Sequence, residues 1–470
     1  MQSKNRVFTA KPLSQAIAAT IFALAGEVAL AAPCPGAPVG GTTAGCTLTG
    51  GASVTVLTTG LITSGVSVTA ASVAGAVTNL GTISGANALL VDSGSTLGSL
   101  TNTGVMNGTS GDAILVESSS SVGSITNTGT ISGSANGMTV TNSSTITGTI
   151  VNDGTITGSD NGIEISNSSS VQGDIVNTGV INAGSSNGIL VSNSSSVTGT
   201  ITNVGTIDGG SQAISVTGNS SVGGINNTGT LIAGTSDAIE VISSIVGAGG
   251  IVNTGLIDAG SYGVYVTSSS TINGDILNTG TISAAGAGIS VSSSSVVNGN
   301  ISNSGTIVAG SSSTGIYFDG TLNGGIVNTG SISGGAGIVN DGLITGASTG
   351  ILVDGGTVTG GIENNGTIVA SSIGIGLTSA VVSGGIQNNG TITAYTGIWV
   401  DTSSVVTGGV TNNGTINASG DGMGVDTYST VDALTNSSTG VINASSDGIR
   451  LETSSVVTGA ITNDGVINAS

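Results

Sequence analysis

The stretch Val171-Gln172-Gly173-Asp174-Ile175-Val176-Asn177-Thr178-Gly179-Val180-Ile181, followed by Asn187-Gly188-Ile189-Leu190-Val191-Ser192-Asn193, decides the fold. Val171, Ile175 and Ile181 are separated by even steps, and so are Ile189 and Val191 after an intervening turn. A period of two places alternate residues of a strand in a core and in water. The inward choices are β-branched, which suits a pleated, half-buried surface. Clusters of Gly, Asn and Ser between the strands supply the positive φ and the local side-chain hydrogen bonds that corners need. No helical periodicity competes.

The same grammar recurs. Its landmark is Asn-x-Gly-x-[Ile/Val/Leu/Met], expanded by two residues after Asn436 through Ser437-Ser438-Thr439-Gly440. Successive landmarks lie 23 to 27 residues apart, apart from one step of 12 residues between Asn328 and Asn340. A unit of this size holds about three short strands and cannot bury its aliphatics alone, so neighbours must stack like strand on like strand in parallel. The predicted fold is all-β: a right-handed parallel β-helix, or β-solenoid, of roughly 15 coils rising about 4.8 Å per coil.

The landmark asparagines share the parity of the buried aliphatics yet sit at a turn. They are therefore expected to point inward as a ladder of stacked amides, each donating to one neighbouring coil and accepting from the other. The ladder takes in Asn79, Asn102, Asn127, Asn152, Asn177, Asn203, Asn227, Asn253, Asn278, Asn303, Asn328, Asn364, Asn388, Asn412, Asn436 and Asn463. Asn340 is a landmark by sequence but is not counted in the ladder, and the 12-residue step that leads to it lacks the usual Gly-Ile-x-Val strand and serine corner. A half-coil deletion that narrows or kinks the stack fits that step, and a joint between subdomains is expected near 328–345. Sequons such as Asn365-Gly366-Thr367 arise from the repeat itself and are not read as glycosylation sites.

Charge excludes whole classes of function. The chain has 4 Lys and Arg against 24 acidic residues, and no His. Lys4, Arg6 and Lys11 lie in a basic amino terminus that leads into an apolar run from Ala16 to Ala25 and a small-x-small site at Ala29-Leu30-Ala31. This pattern reads as a signal peptide, residues 1–31. Its removal leaves Arg450 alone against 23 carboxylates, a net charge of −22. One Arg cannot form the basic patch that nucleic acid requires. Without His, the common catalytic triads and His-based metal sites cannot be built. Residues 32–78 read as an amino-terminal cap, in which Cys34 and Cys46 form one small disulfide loop in an oxidising compartment or remain two free thiols. Residues 79–470 are the repeats.

From the Cys34–Cys46 region through the last Asn-x-Gly-x-Ile repeat, the chain resembles the passenger regions of bacterial autotransporters, the type V secreted proteins. The resemblance implies a β-helix displayed outside the outer membrane or released from it, serving adhesion, self-association or virulence. It also implies a translocating outer-membrane β-barrel, whereas this chain stops at Ser470 within a repeat and reads as truncated. The partners expected are host or neighbouring-cell surfaces, or further copies of the chain. Haemagglutinin-like two-partner exoproteins share Asn-rich β-helices and are the neighbouring alternative. The calcium-binding Gly-Gly-x-Gly-x-Asp nonapeptide is not repeated, and no cofactor or metal is expected.

Two sets of side chains could carry chemistry. Carboxylates recur after the Gly-Ile-x-Val strand as Glu117, Asp319, Asp354, Asp401, Asp426 and Glu452, and stacking brings Asp401 and Asp426 onto adjacent coils. A polysaccharide-acting enzyme would use such a pair. These are also turn positions where Asp is favoured structurally, so no catalytic residue is assigned. Tyr265, Tyr317 and Trp399, with Tyr395 and Tyr428 nearby, are outward aromatics that form a candidate contact surface for sugar or protein. Gly286-Ala287-Gly288 has no following helix and reads as a tight turn rather than a nucleotide loop.

Overall fold

The computed structural model describes residues 42–470 apart from Ser293. The expected signal peptide and Cys34 lie outside the described residues. Cys46 begins a strand, Cys46–Leu48, and is buried, and no described cysteine is a free thiol. The described chain is all β: short parallel strands in stacked coils of about 25 residues, about 17 turns in all, a β-solenoid. It divides into two compact units, Met1–Gly223 and Gly224–Ser470. The boundary therefore falls at Gly223, and the 328–345 stretch expected to hold a joint lies inside the second unit.

In the first unit each coil has three faces, the third made of two short strands or of one continuous strand such as Thr96–Asn102 or Ser196–Asn203. One coil runs Thr130–Gly133 on the first face, Met138–Val140 on the second, then Thr145–Ile146 and Ile150–Asn152 on the third. Each strand lies in parallel register on its repeat in the next coil: Ile131 on Ile156, Met138 on Ile163, Ile146 on Val171 and Ile150 on Ile175. Alternation does the sorting, since these aliphatics are wholly buried while the intervening residues face out. The corner between second and third faces takes two successive left-handed residues, Asn142 and Ser143 (φ 55° and 61°), then Asn167 and Ser168 one coil on. Asn tolerates that conformation best among non-glycine residues.

The motif glycine has a different cause from the positive φ expected of it. A Cβ on Gly154 would stand 2.1 Å from the carbonyl oxygen of Gly129, and one on Gly179 would stand 2.0 Å from that of Gly154. The backbones of successive coils meet here because the carbonyls of Asn79, Asn102, Asn127, Asn152 and Asn177 each accept two N–H groups from the coil below: Asn152 from Thr178 (2.8 Å) and Gly179 (3.0 Å). Only a residue without a side chain fits.

The second unit begins with the same arrangement: Thr281–Ala284 on the first face, Ile289–Val291 on the second, Val296–Val297 and Ile301–Asn303 on the third. After Asn340 the assignment changes. Register carries the first face from Thr306 through Ser331 to Thr357 and Val381, so it is now built of Thr357–Thr359 and Val381–Ser383, strands of the Ser-Val type. The second face carries Ile362–Asn364 and Ile386–Asn388, strands of the Ile-x-Asn type. The third face carries the Thr-Ile and Gly-Ile-x-Val types, joined in Leu343–Asp354 and Thr367–Thr378.

The switch is made by Ala336–Asn340, whose Gly337-Ile338-Val339-Asn340 serves at once as the Gly-Ile strand and the Ile-x-Asn strand. Half of one cycle is thereby omitted. The coil is not narrowed: Ile316 pairs with Ile338 and Ile338 with Ile362, steps of 22 and 24 residues. What shifts is which strand occupies which face. Phe318 fills the transition on the second face, where the column reads Val291, Phe318, Asn340, and it is the largest fully buried side chain among the described residues.

Candidate functional site

The landmark asparagines form runs of buried amides. In the first unit Nδ2 of Asn79, Asn102, Asn127, Asn152 and Asn177 each donates to Oδ1 of the next, as far as Asn203, at 2.7–2.8 Å. In the second unit Asn227, Asn253, Asn278 and Asn303 do the same at 2.7 Å, ending at Asn328. Asn328 is in register with Val353, not with an amide. Its Nδ2 turns to the carbonyls of Gly330 (3.1 Å) and Thr357 (3.3 Å). A new run starts on the second face with Asn340, which the expected ladder did not include, and continues through Asn364, Asn388, Asn412 and Asn436 to Asn463 at 2.6–2.9 Å. The first amide of a run satisfies its oxygen locally, Asn340 from Gly342 N–H (3.3 Å) as Asn79 does from Gly81 N–H (3.2 Å). These side chains are consumed in holding the coils and are not open to a ligand.

A second buried column escaped the sequence reading. N–H of Ser95 donates to Oγ of Ser120 (3.1 Å), Ser120 to Ser144 (3.2 Å), Ser144 to Ser169 (3.1 Å), and so on to Ser220. The signal was present: each of these serines stands two residues before an inward Val, Leu or Ile, on the same parity.

Of the candidate aromatics, Tyr265 and Tyr317 share one groove and Trp399 does not. Tyr265 is in register with Ser290 and Ser290 with Tyr317, so two rings on the outer second face are separated by one coil bearing a small side chain. Tyr262, which the alternation did not single out because it precedes the strand, stacks on Tyr265 with ring centroids 4.7 Å apart and planes at 24°. The groove, about 310 Å³, is lined by these three tyrosines with Ala287, Ser290, Ser292, Ser313 and Thr314. Ala287, the centre of the Gly286-Ala287-Gly288 turn, is buried at the groove's floor. Burial, a hydrogen bond to Asp341 and the nearby charges of Asp341 and Asp319 push the Tyr317 hydroxyl up to about 12. Asp237 accepts from Tyr262 N–H (3.0 Å), and burial raises its carboxyl above the usual range.

Trp399 is on the third face between Gly376 and Gly424, and its ring lies across Gly424, where a Cβ would meet it at 2.0 Å. The Arg450 guanidinium covers it from two coils away, 5.6 Å from the ring centroid. Arg450 is itself paired with Asp421 (2.8 Å) and Glu452 (2.5 Å). Trp399 is thus occupied within the fold. Tyr395 and Tyr428 are exposed at corners.

Stacking does place Asp401 and Asp426 on adjacent coils, with Asp426 N–H donating to Val400 (2.9 Å). Each carboxylate accepts from the next N–H, Thr402 or Thr427, at 2.7 Å and so fixes a left-handed corner residue (φ 54° and 47°). Asp354 lies higher on the same face and Glu452 is held by Arg450, while Asp319 flanks Tyr317 on the second face and Glu117 belongs to the first unit. Burial first, then Asp92 and Asp112, raises Glu117. Comparison with protein-family models, curated proteins and solved structures gave no match.

Proposed function

We propose that the chain is a non-enzymatic, exported surface protein of bacterial autotransporter-passenger type, acting in adhesion, self-association or as a stalk. The observation that carries this reading is how the polar groups are spent. Buried amides and hydroxyls hold coil to coil, and the stacked Asp401 and Asp426 hold their own turns. The outward faces of the strands are left mainly to Ser, Thr, Asn and aliphatic residues. Such a surface offers repeated hydrogen-bonding contacts to a partner and no convergent acid and base. The signal-peptide pattern and the resemblance of the repeats support export.

The test is antibody and protease access to the chain on intact cells, together with adhesion of displaying and non-displaying cells to matrix, to host cells and to each other. Access with binding in any of these assays is the expected result. A chain that stays inside intact cells would remove the reading, and access without any binding would reduce it to the stalk. Turnover of a glycan panel that disappears in Asp401→Asn would replace it by an enzyme.

A further inference from the structure

The columns around the tyrosine groove change character abruptly. The position of Tyr262 is taken by Asn136, Asn161 and Asn187 in the first unit and by Asp237 one coil earlier in the second; Oδ1 of Asn136, Asn161 and Asp237 accepts the N–H of the residue below, whereas Oδ1 of Asn187 is buried with no partner. At Tyr262 the column turns aromatic, and at Ala287 it shrinks to a methyl group. The neighbouring outward column reads Glu240, Tyr265, Ser290, Tyr317. One coil is therefore small at both positions, between coils that carry rings. Strand spacing sets the backbones that bear Tyr265 and Tyr317 about 9.6 Å apart, two coils at about 4.8 Å, which leaves room for a small group between aromatic walls.

The surroundings fix the sign of that group. Asp319 and Asp341 lie close enough to act on the Tyr317 hydroxyl, and Glu240 stands in register above Tyr265. The sequence has no Lys or Arg between Lys11 and Arg450. Aromatic faces attract cations through their quadrupole, and carboxylates at the rim add to the same field. An acidic sugar or phosphate would meet repulsion. A neutral sugar could stack on the rings but would gain nothing from the carboxylates.

We propose that the notch between Tyr265 and Tyr317, backed by Tyr262 and floored by Ala287 and Ser290, binds an alkylammonium group. The site stands independently of the surface-protein reading, since it needs only the folded chain. The experiment is an NMR titration of the purified chain with choline and with 3,3-dimethyl-1-butanol, its uncharged isostere, and with methyl glucoside as the sugar control. Choline should shift the tyrosine resonances saturably, at least tenfold more tightly than the isostere, and the binding should weaken as salt is raised. Ser290→Tyr continues the aromatic column into the notch and should abolish binding. Tyr265→Ser should weaken it at least fivefold, with circular dichroism unchanged in both. Sedimentation with phosphatidylcholine vesicles separates a lipid-borne headgroup from a free cation, and either source agrees with the proposal when choline itself binds. Equal binding of the isostere, binding of the glucoside in place of choline, no choline binding, or choline binding untouched by Ser290→Tyr overturns it.

Discussion

Within the second unit, the coils before Asn328 and those after Asn340 use the same four strands in the same cyclic order, yet present them on different faces. Before the step the amide run lies on the third face; after it, on the second. The close-approach glycine moves with its motif: a Cβ on Gly280 would stand 2.1 Å from Gly255 O, and one on Gly390 would stand 2.0 Å from Gly366 O. The left-handed corner moves too, from Ser268 and Ser269 to Thr402 and Ser403. The lesson is that a strand's role is set by its neighbours in the cycle and not by the face it occupies. The two halves of a coil are close enough in length and in inward aliphatics that omitting one half costs no coil.

The comparison can be broken first at its seam. Phe318→Ala removes the large side chain that fills the change from aliphatic to amide column and should destabilise the second unit by about 4 kcal/mol, read by urea unfolding. A loss below about 1 kcal/mol would mean that the seam does not depend on that volume. Gly280→Ala and Gly390→Ala should each cost about 3 kcal/mol, and equally, because the clash is with backbone on both sides of the step. A mild effect on one side only would show that the motif is not equivalent in the two phases. Asn278→Leu strands the donor of Asn253 and the acceptor of Asn303, for a loss of about 2–4 kcal/mol. Among the ladder amides Asn328→Leu strands the donor of Asn303 alone and should cost about half as much.

The smallest effect lies at Trp399, the single tryptophan of the chain. Burial pushes Asp421 up, but the Arg450 guanidinium and the N–H of Asp447 outweigh it and hold the carboxyl below its ordinary 3.8. A depressed folded value means stability that is present above 3.8 and lost as pH falls through the folded value. Tryptophan emission should therefore change only below that point in acid titration, and Arg450→Gln should bring a similar change at neutral pH. The pair is partly exposed, so melting should barely move.

Much of this was legible in the chain. Period-two alternation and the spaced Asn-x-Gly landmark gave the solenoid, and the parity of the asparagines gave their inward ladder. The role of Asn340 was not legible, because a break in spacing looks the same whether a residue leaves the ladder or founds a new one. Nor was the boundary near Gly223, where the spacing stays regular. Trp399 read as free because its cover, Arg450, is two coils away in sequence and reaches it only across Gly424. Tyr262 was missed for a local reason: it sits in a corner, where alternation assigns no side.

Every amide in a run points the same way, its nitrogen toward the following coil. The small moments of these side chains consequently add head to tail, each polarising the next, so that a run carries a negative pole at its first oxygen and a positive pole at its last nitrogen. In the second unit the half-cycle omission cuts this electret in two and displaces the halves sideways, which limits the field that either can build.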